Sequence, residues 1–260
     1  TFKTIPPPGE YGYDTWNKDS YQKAGGTNAW AGLSLDEENG LVYLPLGSPA
    51  FDFYGGNRAG QNLFGNCIVA LDAATGKRKW HYQLVHHDLW DYDLPAPPTL
   101  VTLRNDSMPL AVAQVTKMGM LFLFDRISGK PIFPIEEKPV PGSTLPGEYT
   151  SPTQPLPVKP APFVRQRITE NDLKAISDSS RLYIQKLVGK ARTGSIYTPP
   201  DTSGIIQIPG TRGGAEWGGA SFDPETGLLY VNANELPLLL KMKSISTAAG
   251  SQPGEHLYNI

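Results

Sequence analysis

The chain has 260 residues, a fifth of them glycine (27) or proline (25), with proline at about twice its average usage. Charged residues make up 18%, hydrophobic residues 39%, and the net charge is −2. These values exclude a disordered polyelectrolyte, a helical bundle and a broad basic footprint for nucleic acid. The glycines lack collagen's three-residue period, no apolar run approaches the roughly 20 residues of a membrane span, and no signal peptide is visible. Cys67, the single cysteine, can form neither an internal disulfide nor a Cys-based zinc site. Thr1 stands in place of an initiator methionine, so the sequence reads as a processed chain or an excised piece.

In chain order, the first predicted unit runs from about Trp30 to Val85 and holds four short strands. It opens with Trp30-Ala-Gly-Leu-Ser-Leu-Asp36 and continues to Gly40-Leu-Val-Tyr43, a strand, a polar turn and an apolar strand. A second hairpin, Ala70-Leu-Asp72-Ala-Ala-Thr75-Gly76-Lys-Arg-Lys-Trp80, places Asp72 and Thr75 to bond the turn backbone, Gly76 to supply a positive φ, and Trp80 on a buried face. Next comes the densest polar and aromatic cluster, His86-His87-Asp88-Leu-Trp90-Asp91-Tyr-Asp93-Leu-Pro95. Three carboxylates, two imidazoles and an indole there suit a site that handles protons or a cation. A metallohydrolase built on His86, His87 and Asp88 is disfavoured, because adjacent strand residues face opposite ways.

A second unit spans roughly Pro98 to Ile135 and carries a weaker copy of the second hairpin, Leu121-Phe-Leu-Phe-Asp125-Arg-Ile-Ser-Gly129. Residues 137–210 break the pattern and read as a long Pro-rich insertion packed against the sheets. Within it, Thr169-Glu-Asn-Asp172 resembles a capping box, followed by a helical stripe of Leu173, Ile176, Tyr183, Leu187 and Ala191. Eight Lys/Arg against three Asp/Glu between Lys159 and Arg192 read as a solvated helix face. A third unit opens at Trp217-Gly-Gly-Ala-Ser-Phe-Asp223 and runs to Gly227-Leu-Leu-Tyr230, superimposing on the Trp30 segment without a gap. Four-stranded units of about 40–50 residues are what propeller blades look like, and three of them leave open edges, so the chain is expected to be part of a larger protein.

Several segments recur together in one family: Gly26-Thr-Asn-Ala-Trp30, Gly55-Gly-Asn-Arg58, the Asp72 hairpin, the His86–Pro95 run, Thr116-Lys117-x-Gly119, Lys138-Pro-Val-Pro141, Ser151-Pro-Thr-Gln-Pro155, Tyr197-Thr-Pro-Pro200 and Glu216-Trp-Gly-Gly219. In this order the chain, from about residue 24 to 240, resembles the pyrroloquinoline quinone (PQQ) dependent dehydrogenases, nearest to the membrane-bound glucose and quinate type. The resemblance implies an all-β fold, with residues 1–260 a fragment of one eight-bladed propeller: about three blades of four antiparallel strands, plus the partly helical insertion. It implies Asp91 as the base that takes the hydroxyl proton while hydride moves to the quinone. It implies Lys117 at the quinone oxygens, Trp30 as the floor under the cofactor, and Asn28 and Thr211 among the cofactor contacts.

A Ca2+ or Mg2+ ion shared by Asp91 is implied as well, with Ser48 in its shell. Ser48 stands where the alcohol-oxidising branch has a calcium-binding Asn, and Thr211 where the glucose type has an Asn near the quinone. The adjacent-cysteine ring of the alcohol branch is absent. The expected reaction is oxidation of an alcohol group in a sugar, polyol or cyclic alcohol, in the periplasm, with electrons passing to a cytochrome c or a membrane quinone. The alternative is a non-catalytic propeller scaffold, against which the retention of Trp30, Asp91 and Lys117 argues. Gly254-Glu-His-Leu-Tyr-Asn-Ile260 resembles the opening helix of a c-type cytochrome domain, so haem c is expected in a domain outside this chain.

Overall fold

The computed structural model of the chain describes residues 1–17, 19–104, 109–169, 172, 176–189, 191–245 and 257–259. Four strands, β1 (Ser34–Asp36), β2 (Leu41–Pro45), β3 (Cys67–Asp72) and β4 (Arg78–Gln83), form one antiparallel sheet in sequence order. β3 is apolar along its length because both its faces are covered, as in the middle strands of a stacked sheet. β5 (Thr99–Thr102), β6 (Leu110–Val115) and β7 (Leu121–Asp125) form the second unit, also in order. Its expected fourth strand is reduced to one bridge between Phe124 and Pro131. The stretch that follows folds as its own hairpin, β8 (Ile135–Pro139) with β9 (Thr153–Pro157).

Helix α1 (Ser20–Lys23) precedes the first sheet. Helix α2 (Asp178–Val188) precedes a small sheet of β10 (Arg192–Thr193), β11 (Ile205–Gln207) and β14 (Leu238–Leu240). Between its last two strands, β12 (Ala220–Asp223) and β13 (Leu228–Val231) make the third unit. β15 (Lys243–Ile245) pairs with β16 (Leu257–Asn259). Among the described residues no helix is long and apolar enough to cross a membrane.

The repeated hairpins fold as their chemistry dictates. In the first, the Asp36 carboxylate accepts from Asn39 and Gly40 takes φ 61°. In its twin, Asp223 accepts from the Glu225 amide and the Thr226 hydroxyl, and Gly227 takes φ 74°. The Asp72 turn and its copy at Asp125 use one device: the carboxylate accepts from the amide and hydroxyl of Thr75 or Ser128. The first strands of the three units lie side by side, β5 between β1 and β12, so the sheets fan about a common axis.

Aromatic and aliphatic side chains fill the seams. Tyr43, Trp80, Phe122 and Phe124 join the first two units, while Val101, Ala111 and Ala113 meet Phe222, Leu229 and Val231 across the next seam. Trp80 donates its indole N–H to the Arg126 carbonyl (3.0 Å), and Tyr43 donates to the same oxygen (3.1 Å). The Arg126 guanidinium meets Asp36 (3.4 Å) and the Val101 and Ala111 carbonyls. The N-terminal segment covers the free side of the first sheet: Phe2 packs on Phe64, and Trp16 donates to the Leu63 carbonyl.

His81 on β4 lies under this cover, its ring against Phe64 and Tyr11 with Arg78 2.9 Å from Nδ1. Burial, with the nearby Arg78 charge, lowers its pKa from 6.5 to about 4. The unfolded chain therefore binds this proton first as pH falls, so the associated stability is complete above pH 6.5 and is lost on the way down to pH 4. With screening at a half-buried ring the loss is on the order of 2 kcal/mol. Urea unfolding of His81→Phe at pH 7 and pH 4.5 should show a smaller pH-linked loss than wild type. Equal losses would assign the acid sensitivity elsewhere.

The helical reading needs correction. The Thr169–Asp172 segment does close on itself, Thr169 donating from N and Oγ1 to Asp172 (2.8 and 2.6 Å). The helix starts only at Asp178, however, under a capping box of Ser177 and Ser180. Three of the five expected stripe residues face out, Ile176, Tyr183 and Leu187, Leu173 lies outside the described residues, and Ala191, just past the helix, packs on the body as expected. The side of the helix that meets the body is rotated one step, through Ile184 and Val188 against Ile168 and Ile206. A 3.6-residue period was present on both sides, and the larger side chains marked the outward one. At the C-terminal end, where a helix is expected, the three residues described form strand β16. The rest of that segment lies outside the described residues.

Candidate active site

The His86–Pro95 run leaves β4 and crosses to the second unit as a tightly bonded loop. Asp88 is buried, and its carboxylate accepts from the amides of Trp90 and Tyr92 (2.8 Å each) and from the Asn66 amide (2.8 Å). Trp90 and Tyr92 are fully buried; they donate to the carbonyls of Thr198 (2.9 Å) and Ile196 (2.8 Å). Gln207 donates to the Trp90 carbonyl, and Gln154 bonds His86 through both its backbone groups. The Pro-rich excursion therefore holds this loop from outside. Asp91, between the two buried rings, sits at φ 58° and points away from them. Asp91 and Asp93 turn to the same side, where both carboxylates reach one cation.

There they meet Lys117. Its Nζ lies 3.0 Å from Asp91 Oδ2 and 2.8 Å from Asp93 Oδ2, and the three side chains are 19% exposed or less. An ammonium has three donors, so one remains for a third acceptor. Gly213 and Gly214 permit this approach: a Cβ on Gly213 would meet Lys117 Cα at 3.1 Å, and the Gly214 amide donates to the Lys117 carbonyl (2.6 Å). Asp93 Oδ1 accepts from the amide and hydroxyl of Ser48. A Cβ on Gly47 would meet that same oxygen at 2.6 Å and Trp30 Nε1 at 3.2 Å, so the half-exposed Trp30 indole borders the cluster.

The charges fix the electrostatics. Burial pushes the Asp91 carboxyl up to about 8; Lys117 opposes the rise and Asp93 adds to it. Burial also works against the Lys117 ammonium, but Asp93 and Asp91 outweigh it and hold the pKa above its ordinary value. Asp52 and Glu216 face the same group, and burial raises both carboxyls while Lys117 counters. One cation thus stands among four carboxyl groups, one of them tuned close to neutral pH, where a proton acceptor works best.

The expected residues converge in part. Asp91, Lys117, Ser48 and Trp30 come together through Asp93 and Gly47. Asn28 joins through its backbone carbonyl, which accepts from Gly47, while its side chain is exposed; Thr211 sits in the Gly210–Gly213 turn that packs on Lys117. Asp93, Asp52 and Glu216 are additions; Asp93 had a signal as one of the three carboxylates of the His86–Pro95 run and Glu216 as the start of a family segment, while Asp52 had none. His86 and His87 go to separate partners, Glu137 and Glu148, which removes the shared-ion arrangement.

The fan of antiparallel sheets with a charged site between the loops of its first two units defines a β-propeller with an enzyme-like centre. A sequence profile described as "PQQ: Glucose/ethanol/alcohol dehydrogenase, beta-propeller domain" matches residues 1–257, and the chain belongs to that family. It is 37% identical over 223 residues to the quinate/shikimate dehydrogenase (quinone) of Acinetobacter baylyi, covering 85% of this chain and 28% of that protein. It is 38% identical over 221 residues to the quinoprotein glucose dehydrogenase of Escherichia coli, covering 83% and 27%. The crystal structure of quinohemoprotein alcohol dehydrogenase from Comamonas testosteroni matches with a TM-score of 0.58 at 24% identity, over 89% of this chain and 29% of that one. A europium-containing methanol dehydrogenase matches at 0.61 and 23%, over 94% and 36%. The chain thus spans less than a third of the length of these curated relatives.

The donor set fits the implied cofactors. A flat ortho-quinone needs a stacking face and a hydrogen-bond donor at its carbonyl oxygens, and the half-exposed Trp30 indole and the spare Lys117 N–H offer these. The oxygens of Asp91, Asp93 and Ser48 are hard donors of the kind Ca2+ takes. Among the described residues no three His, Cys, Asp or Glu stand close enough to hold an ion by themselves.

Proposed function

We propose that the full-length protein oxidises an alcohol group of a sugar, polyol or cyclic alcohol with PQQ, and that this chain supplies its proton-handling side. The observation that carries the reading is the Lys117 ammonium bridging Asp91 and Asp93, with the Asp91 carboxyl raised to about 8. Asp91 accepts the substrate hydroxyl proton at Oδ1, the oxygen that Lys117 leaves open. Lys117 keeps the second carboxylate, Asp93, in register, and Asp93 is fixed in turn by Ser48. Trp30 and the Gly213–Gly214 turn bound the space, with Asn28 and Thr211 at its edge. When bound, PQQ accepts the hydride equivalent from the alcohol carbon. A Ca2+ or Mg2+ ion would rest on Asp91 and Asp93, with Ser48 adjacent and further ligands from elsewhere in the protein. The periplasm, and a cytochrome or membrane quinone as acceptor, complete the reading; the names of the quinone-linked relatives support the last point.

The test is a PQQ titration of the full-length protein followed by tryptophan quenching, with Ca2+ and then with EDTA. Saturable, metal-dependent quenching that Trp30→Ala removes is the expected outcome. A folded full-length protein that leaves PQQ unbound would make it a scaffold.

A further inference from the structure

The function above leaves one buried polar pair unused. His87 and Glu148 have side chains 0% and 1% exposed, with Nε2 3.1 Å from Oε1. His87 Nδ1 lies 2.8 Å from the Gly60 carbonyl oxygen, an acceptor only, so that nitrogen carries its hydrogen. The Nε2 contact then needs one further proton between the two residues. Glu148 also accepts from the Gly55 amide at Oε2 and from its neighbour Tyr149's amide at Oε1 (2.8 Å).

The surroundings are built to hold the pair. The Tyr149 ring stacks on His87 with centroids 4.2 Å apart, and its hydroxyl accepts from the Gly60 amide. Tyr54 donates to the Pro146 carbonyl (3.2 Å). A Cβ on Gly55 would meet His87 Nε2 at 2.6 Å, so only glycine admits the imidazole. Residues 146–149 are thereby laced over residues 54–60 and close on His87. His87 (φ 46°) and Asp91 (φ 58°) both occupy the left-handed region, His87 just before the turn whose amides Asp88 binds and Asp91 inside it, between the Trp90 and Tyr92 amides. The backbone direction set at His87 passes through that single turn to Asp91.

We propose that Glu148 is a positioning residue for Asp91: by clamping His87 to the 146–149 strap it fixes the turn that aims the Asp91 carboxylate. This rests on the reading of Asp91 as the base. The conservative variant is informative, because in Glu148→Gln the amide N–H can supply the hydrogen to a neutral His87 Nε2 while the amide oxygen still accepts from Gly55. Glu148→Ala makes neither bond.

The experiment compares Glu148→Ala, Glu148→Gln and Asp91→Asn in the full-length, PQQ-loaded enzyme. It adds amide hydrogen exchange of the PQQ-free proteins at residues 86–92, with Ala111–Val115 of β6 as internal control. Glu148→Ala should lower kcat about tenfold or more, as expected for a misaimed group, with KM and PQQ affinity within about threefold of wild type. Exchange at 86–92 should speed up about tenfold without change in β6, and Glu148→Gln should restore both readouts. Unchanged exchange, a loss confined to KM, or a Gln variant as impaired as the Ala variant would overturn the proposal. Should Glu148→Ala fail to fold, Glu148→Asp, whose shorter side chain cannot span from the strap to both His87 Nε2 and the Gly55 amide, carries the same expectations. Asp91→Asn with wild-type turnover would overturn the base reading alone, since the exchange comparison reports on the clamp independently.

Discussion

Asp91→Asn in the full-length enzyme is expected to lower kcat by about a thousandfold while PQQ still binds. General-base catalysis by a placed carboxylate contributes about 10²–10⁴-fold, and the amide has no lone pair basic enough to replace it. The substitution is nearly isosteric, and the amide oxygen can still accept from Lys117 Nζ (3.0 Å in the carboxylate). Asp93 retains its own bond to that ammonium at 2.8 Å, so Lys117 stays placed and charged. The neighbouring rings are anchored independently, Trp90 on Thr198 and Tyr92 on Ile196, so the loop keeps its shape. Binding and fold should therefore survive what turnover does not. Steady-state kinetics beside a PQQ titration checks this, and wild-type turnover would remove Asp91 from the chemistry.

The hairpins were legible in the sequence because their signals are local. An Asp, a hydroxyl three residues on and a glycine at the following position specify a turn without reference to the rest of the chain, and the three such turns, at Asp72, Asp125 and Asp223, all form, as does the Asp36 turn with Asn39 in place of the hydroxyl. What stayed hidden depended on distant partners. Glu148 and His87 are 61 residues apart and nothing in either stretch specifies the other, while Lys117 and Asp91, 26 apart, were brought to one site by the family resemblance and not by any local pattern. The exposed stripe of α2 shows the complementary failure. Periodicity reports that a helix is two-sided, but the side that is covered is decided by Ile168 and Ile206, which belong to other segments.

The fold's own integrity gives the second large expectation: Trp80→Ala should cost about 3–5 kcal/mol, as loss of a buried large aromatic generally does. Against a typical total of about 5–15 kcal/mol that is enough to loosen the first two sheets from one another. The indole packs between Tyr43 and Phe124 (centroids 5.8 and 6.0 Å) and lies on Gly129 of the neighbouring turn. Trp80→Phe should cost less than half as much. The Arg126 carbonyl it ceases to bond still accepts from Tyr43, so no buried acceptor is orphaned, and most of the ring packing stays. Gly129→Ala attacks the seam from the other side. That residue sits at φ 68°, and a Cβ there would overlap the Trp80 ring. In the Trp80→Ala background the overlap is gone and only the positive-φ strain remains, about 1–2 kcal/mol. The two alanine substitutions should thus be clearly less than additive in urea unfolding, by more than about 1 kcal/mol. Additive losses would mean that the glycine serves its turn alone and that the stacking of Trp80 on it contributes nothing to holding the blades together.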